Sequence, residues 1–277
     1  LDEKERTLKM KKASLLFIVL IVLSFTFAGC GGQAGDEASP PAEGTAEEAV
    51  EVNISAASSL TDALTEIQTE FAKESKAVLR FNYGASGTLQ QQIEQGAPCD
   101  LFISASKANM DSLEEAGLIV PGSRKNILGN SLTLIAAAEK SDVIKDYGAL
   151  SAGSVQRISV GMPDLVPAGK YAQQSLQNLN VWDQIQEKIV NAKDVKQVLQ
   201  YVDSGNVDCG IVYKTDAMIM KTGVVVLDLP ESSHDPIVYP AALIKDSAQP
   251  AAAEKFYDFL QTDYAKGVFE KYGFTIQ

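Results

Sequence analysis

The sequence is poor in the residues on which most metal centres and acid–base enzymes depend. It holds one histidine, His234, and three cysteines, Cys30, Cys99 and Cys209, among 277 residues. No spacing among these four matches a zinc or iron–sulfur ligand set. His234 lies in the polar run Glu231-Ser232-Ser233-His234-Asp235, where a surface position is expected. Basic residues are scarce as well: 24 Lys and Arg stand against 36 Asp and Glu, a net charge of −12. A chain this acidic is poorly suited to nucleic acid or to an anionic membrane surface. A membrane span of about 20 apolar residues is also lacking. The apolar stretch at residues 15–27 has only thirteen.

That stretch has the form of a secretory signal. Met10-Lys11-Lys12 supplies the basic start, and the charged residues 1–9 read as an upstream extension. Its end, Phe27-Ala28-Gly29-Cys30, resembles a lipobox, with Phe27 where a leucine-like residue is usual. The resemblance makes Cys30 the lipidated first residue of the mature protein and residues 1–29 its signal peptide. A cleaved secretory peptide with an incidental cysteine is the alternative. Residues 30–51 then form the lipidated cysteine and a Gly/Ala/Pro/Glu-rich tether with no apolar periodicity to order it. Removing residues 1–29, with five basic and three acidic side chains, leaves a net charge of −14. Cys99 and Cys209 each adjoin an apolar strand and are expected as buried free thiols.

From residue 52 onward strands and helices alternate, which predicts an α/β fold. Residues 52–56 form a strand that runs into Ala57-Ser58-Ser59, and residues 60–75 a helix with Leu60, Leu64, Ile67 and Phe71 on one stripe. The stretch at 78–104 gives strand, glycine loop, helix and strand in succession. In it, Gly84-Ala85-Ser86-Gly87 turns the chain and Gly96 ends the helix of 88–95. Residues 132–138, 158–161, 209–213, 224–227 and 238–244 are further apolar strands. Helices are expected at 170–179, after a Pro/Gly loop at 162–169, and from Asp194 onward, with two more closing the chain.

Two α/β units with a C-terminus that returns to the first predict a two-lobed protein. Lobe I comprises 52–129 and 238–277 and lobe II comprises 130–237, with crossings near Gly129-Asn130-Ser131 and at 236–240. Ligands of open α/β sheets bind beyond the carboxyl ends of the strands, so the cleft between lobes is the expected site. Four junctions there share one chemistry: Ser58-Ser59, Ser86-Gly87, Pro167-Ala168-Gly169 and Asp194-Val195. Each puts hydroxyls or unpaired backbone N–H groups at a helix start, where the dipole favours anions. Ser86 and Gly87 are expected to offer a hydroxyl and an unblocked N–H. The competing reading has Ser86 cap its own helix. Tyr213, at a strand end, adds a phenolic donor.

At these residues the chain resembles the molybdate-binding proteins of ABC importers. The resemblance is carried by Ala56-Ala57-Ser58-Ser59-Leu60-Thr61, Gly84-Ala85-Ser86-Gly87-Thr88-Leu89, Ala97-Pro98-Cys99-Asp100-Leu101-Phe102-Ile103-Ser104-Ala105, Val166-Pro167-Ala168-Gly169, Gly210-Ile211-Val212-Tyr213 and Tyr272-Gly273-Phe274. It spans about residue 52 to residue 277. It implies a type II periplasmic-binding-protein fold that captures a tetrahedral oxyanion, molybdate or tungstate, and delivers it to a membrane permease. Ser59, Ser86 and Tyr213 would donate through hydroxyls and Ala168 and Val195 through backbone N–H groups. No cofactor is implied, and a monomer is expected. Donors alone suit a fully deprotonated dianion, because a protonated phosphate would meet them with a donor of its own. Sulfate passes that test and is rejected only by size, an argument the resemblance supplies.

Other classes fit less well. The nucleophile elbow Gly-x-Ser-x-Gly fails at Thr88, and a P-loop fails at Asp164 and Tyr171. Ferric carriers of this fold use paired tyrosines, and Tyr213 is not followed by a second. A carrier for sulfate or another small oxyanion is the nearest alternative.

Overall fold

The computed structural model describes residues 50–277, so the signal peptide, Cys30 and nearly all of the tether lie outside the described residues. Eleven strands fall in two sheets among the described residues: β1 (Glu51–Ala57), β2 (Val78–Gly84), β3 (Leu101–Ile103), β4 (Lys125–Gly129), β5 (Leu132–Ala136), β6 (Ile158–Gly161), β7 (Ile189–Ala192), β8 (Cys209–Tyr213), β9 (Val224–Asp228), β10 (Val238–Leu243) and β11 (Thr275–Ile276). Their α-helices are α1 (Thr61–Glu74), α2 (Ser86–Glu94), α3 (Lys107–Glu115), α4 (Pro167–Asn178), α5 (Trp182–Ile185), α6 (Val195–Asp203), α7 (Lys214–Ala217), α8 (Pro250–Phe259) and α9 (Asp263–Lys271).

The first sheet has the order β11-β4-β10-β3-β1-β2 and the second β7-β6-β8-β5-β9. Strand β1 pairs in parallel with β2 and β3, and β6 in parallel with β7 and β8. Of these, β3 and β8 are buried along their whole length, which is why Leu101-Phe102-Ile103 and the whole of β8 read as apolar runs. The chain leaves the first sheet after Gly129, enters the second at Leu132, and returns after β9 to lay β10 antiparallel between β3 and β4. Pro240, in β10, has no N–H for the ladder, and the register with β4 shifts between Tyr239 and Pro240. The product is a two-lobed α/β fold with two crossings, of the type II substrate-binding kind.

The cores follow the helical stripes. Leu64, Ile67 and Phe71 of α1 are buried, and Phe71 meets Phe256 and Phe259 of α8 edge to face at 5.1 and 5.2 Å. Val195, Val198, Leu199 and Val202 line the inner face of α6. Both cysteines are buried free thiols, and burial raises both pKa values, that of Cys209 to about 12.

Several boundaries differ from the sequence expectation. Strand β1 begins at Glu51, one residue inside the expected tether. Helix α4 starts at Pro167, three residues early, because proline at the first helical position needs no N–H partner. Residues 58–60 form a 3-10 turn that leads into α1.

Candidate functional site

The carboxyl ends of β1, β2, β6 and β8 deliver the chain to one small cavity between the lobes. It is lined by Ala57, Ser58, Ser59, Gly84, Ala85, Ser86 and Ala105 from the first lobe and by Val166, Pro167, Ala168, Val195 and Tyr213 from the second. All five expected residues, Ser59, Ser86, Ala168, Val195 and Tyr213, are in this set. No charged side chain is.

Local rules explain why these positions carry free donors. Pro167 is the first residue of α4, so the first N–H that α4 can direct outward is that of Ala168. The start of α4 is drawn tight against β6: a Cβ on Gly169 would lie 1.9 Å from the Gly161 carbonyl oxygen. At α6 the Asp194 carboxylate accepts from the Gln197 N–H at 2.9 Å, and the Gln197 side chain reaches back to the Lys193 N–H at 2.8 Å. That reciprocal cap satisfies the third N–H of the helix and leaves the N–H of Val195.

Ser86 does not cap its helix. It is the first residue of α2, after Ala85 at the cap position, and its Oγ accepts a bond of 2.9 Å from the Ala105 N–H. The expectation of an unblocked Gly87 N–H fails: that group donates across the cleft to the Leu165 carbonyl at 2.9 Å. Ser59 Oγ lies 2.9 Å from Tyr239 Oη, so it too has a protein partner.

Tyr213 is the exception among the three hydroxyls. Its ring is fully buried at the end of β8, tilted 57° to the Tyr239 ring at 5.9 Å, and its hydroxyl has no hydrogen-bond partner. Burial lifts its pKa well above the ordinary phenol value, so it is a neutral O–H donor. A buried donor left unpaired costs about 1–3 kcal/mol. A ligand acceptor in the cavity would remove that cost.

Three groups that sequence reasoning missed sit around the site. Tyr239 and Asn130 stand behind Ser59, and Lys196, next to Val195, bridges Asp62 of lobe I at 2.5 Å and buried Asp216 at 3.5 Å. Nothing in local sequence marks Tyr239, which is 180 residues from Ser59. Lys196 was findable as the second residue of a helix already assigned to the cleft. His234, expected on the surface, is half-buried, with its ring 5.9 Å from that of Tyr171. It does not line the cavity.

Comparisons with known proteins place the chain in a family. The family described as bacterial extracellular solute-binding protein matches residues 52–275. A Bacillus subtilis protein provisionally named an ABC transporter substrate-binding lipoprotein is 43% identical over 196 residues, 71% of this chain and 75% of that one. The molybdate-binding protein of Haemophilus influenzae is 38% identical over 210 residues, 74% of this chain and 82% of that one. Among solved structures, the periplasmic molybdate-binding protein of Azotobacter vinelandii superposes with a TM-score of 0.72 at 26% identity, covering 82% of this chain and 99% of that one. On the match over 52–275 and these relatives, the chain belongs to the bacterial extracellular solute-binding protein family.

Proposed function

We propose that the protein is the extracytoplasmic binding component of an ABC importer and that its ligand is molybdate, with tungstate as an equivalent. The observation that carries this is the unpartnered, fully buried Tyr213 hydroxyl, in one cavity with Ser59, Ser86 and the starts of α4 and α6 and with no charged side chain. Ser59, Ser86 and Tyr213 would donate through hydroxyls, and Ala168 and Val195 through backbone N–H groups. Neutral donors at helix starts hold a dehydrated dianion without a counter-charge. Relatives named for molybdate support that anion over sulfate. The role is binding and release, with no bond made or broken.

The chain would act as a monomer that docks on a membrane permease. Cys30, with residues 31–50 as tether, would hold it at the outer face of the membrane. Cys30→Ala should move it out of the membrane fraction, and unchanged membrane retention would end the anchoring proposal.

The decisive experiment is calorimetric titration of the purified full chain with molybdate, tungstate, sulfate and phosphate in parallel. Tight binding of the first two and weak binding of the others is expected. Equal affinity for sulfate would replace molybdate by a general oxyanion role.

A further inference from the structure

A row of hydrogen bonds stands behind Ser59, and its direction along Asn130, Tyr239 and Ser59 follows from the Asn130 end. Asn130, in the first crossing, accepts at Oδ1 from the backbone N–H of Ser131 at 2.9 Å. A backbone N–H only donates, so the amide oxygen is fixed on that side and Nδ2 on the other. That Nδ2 lies 2.9 Å from Thr215 Oγ1 and 3.2 Å from Tyr239 Oη. An amide nitrogen only donates as well, so Tyr239 Oη accepts. The phenol has one proton left, and Ser59 Oγ lies 2.9 Å away. Ser59 Oγ therefore accepts, and its own proton is left for the cavity. Burial keeps Tyr239 protonated, with its pKa far above the ordinary value.

Ser86 is set in one step. The Ala105 N–H donates to its Oγ at 2.9 Å, and no protein acceptor among the described residues takes the Ser86 proton. The two serines thus reach the same state by different means. At Ser86 the backbone dictates it, and at Ser59 a removable side chain does.

We propose that Tyr239, oriented by Asn130, is a positioning residue that determines specificity: it commits Ser59 to donate into the cleft, so the site prefers oxyanions without a proton over those that carry one. The inference rests on the oxyanion reading above. A hydrogen phosphate ion brings an O–H that needs an acceptor, and a committed Ser59 opposes it with another proton. Without the Tyr239 proton, the Ser59 hydroxyl can turn and accept.

The test is a double-mutant cycle on the full chain: wild type, Tyr239→Phe, Ser59→Ala and both together, each titrated with molybdate and with phosphate. Phenylalanine keeps the ring packing against Phe274, whose centroid is 5.5 Å away. Tyr239→Phe should weaken molybdate about three- to tenfold, as for one neutral hydrogen bond. It should narrow the molybdate-to-phosphate ratio by at least that factor. In the Ser59→Ala background it should add nothing, because the row then ends nowhere. Asn130→Ala, which frees the fixed end while keeping Tyr239, should narrow the ratio in the same direction. Equal losses with and without the Ser59 hydroxyl, or an unchanged ratio, would reduce Tyr239 to packing and overturn the inference alone. A wild-type chain that binds neither anion would overturn the oxyanion reading and this inference with it.

Discussion

The backbone N–H of Gly87 donates to the carbonyl of Leu165 at 2.9 Å, and this bond joins lobe I to lobe II inside the cleft. Gly87 is the second residue of α2, and Leu165 lies in the turn that enters α4. A Cβ at position 87 would sit 2.7 Å from the Leu165 oxygen, against backbone that cannot swing aside. Gly87→Ala should therefore hold the lobes apart. The helix itself should gain, since alanine is favoured over glycine by up to about 1 kcal/mol. Ligand-free stability should be kept while molybdate affinity falls about tenfold or more, equivalent to about 1.4 kcal/mol. Titration with a melting control measures both. Wild-type affinity in this variant would show that closure does not need the contact.

What the sequence disclosed, and what it hid, divides by range. Apolar runs and helix starts are local, so β1, β2, β8 and the junctions that line the cavity could be read from neighbouring residues. Strands β4, β7 and β11 were missed, because Lys125-Asn126, Asn191 and the two-residue β11 lack an apolar run. Partnerships across the chain were hidden altogether. The Gly87 donor looked free because its acceptor is Leu165, and Ser59 looked solitary because Tyr239 reaches it from a strand of the other chain segment of lobe I. Residue types at a helix start disclose which donors exist. Only the fold discloses which of them are already spent.

Asp216 is fully buried, neither carboxylate oxygen has a hydrogen-bond partner, and Lys196 Nζ is 3.5 Å away. Burial raises its pKa to about 6, Lys196 opposes the rise, and Asp62 and Asp194 add to it. The folded state therefore binds this proton more tightly than the unfolded chain, whose carboxyl titrates near 3.8. The stability contributed by this group is complete below the unfolded value and is lost as pH rises to about 6. Asp216→Asn should melt higher than wild type at neutral pH, by an amount on the order of 2–3 kcal/mol. The gap should shrink as the medium is acidified. Melting curves of both proteins across that range test it, and a gap independent of pH would show that Asp216 does not carry the titration.

Tyr213→Phe separates the ligand from the fold. The substitution keeps a ring that packs beside Tyr239 and deletes a hydroxyl that has no protein partner. Its effect on ligand-free stability should be neutral or favourable, because an unsatisfied buried donor disappears. Binding should move the other way. A hydrogen bond to a charged acceptor contributes about 1.5–3 kcal/mol, so molybdate affinity should fall about ten- to a hundredfold. Ser86→Ala should also weaken binding, but at a cost to the ligand-free protein, since the buried Ala105 N–H loses its acceptor. The two variants thus have opposite signatures in apo melting and the same direction in titration. Unchanged affinity in Tyr213→Phe would remove that hydroxyl from the site, and unchanged affinity in both would leave the cavity without a ligand role.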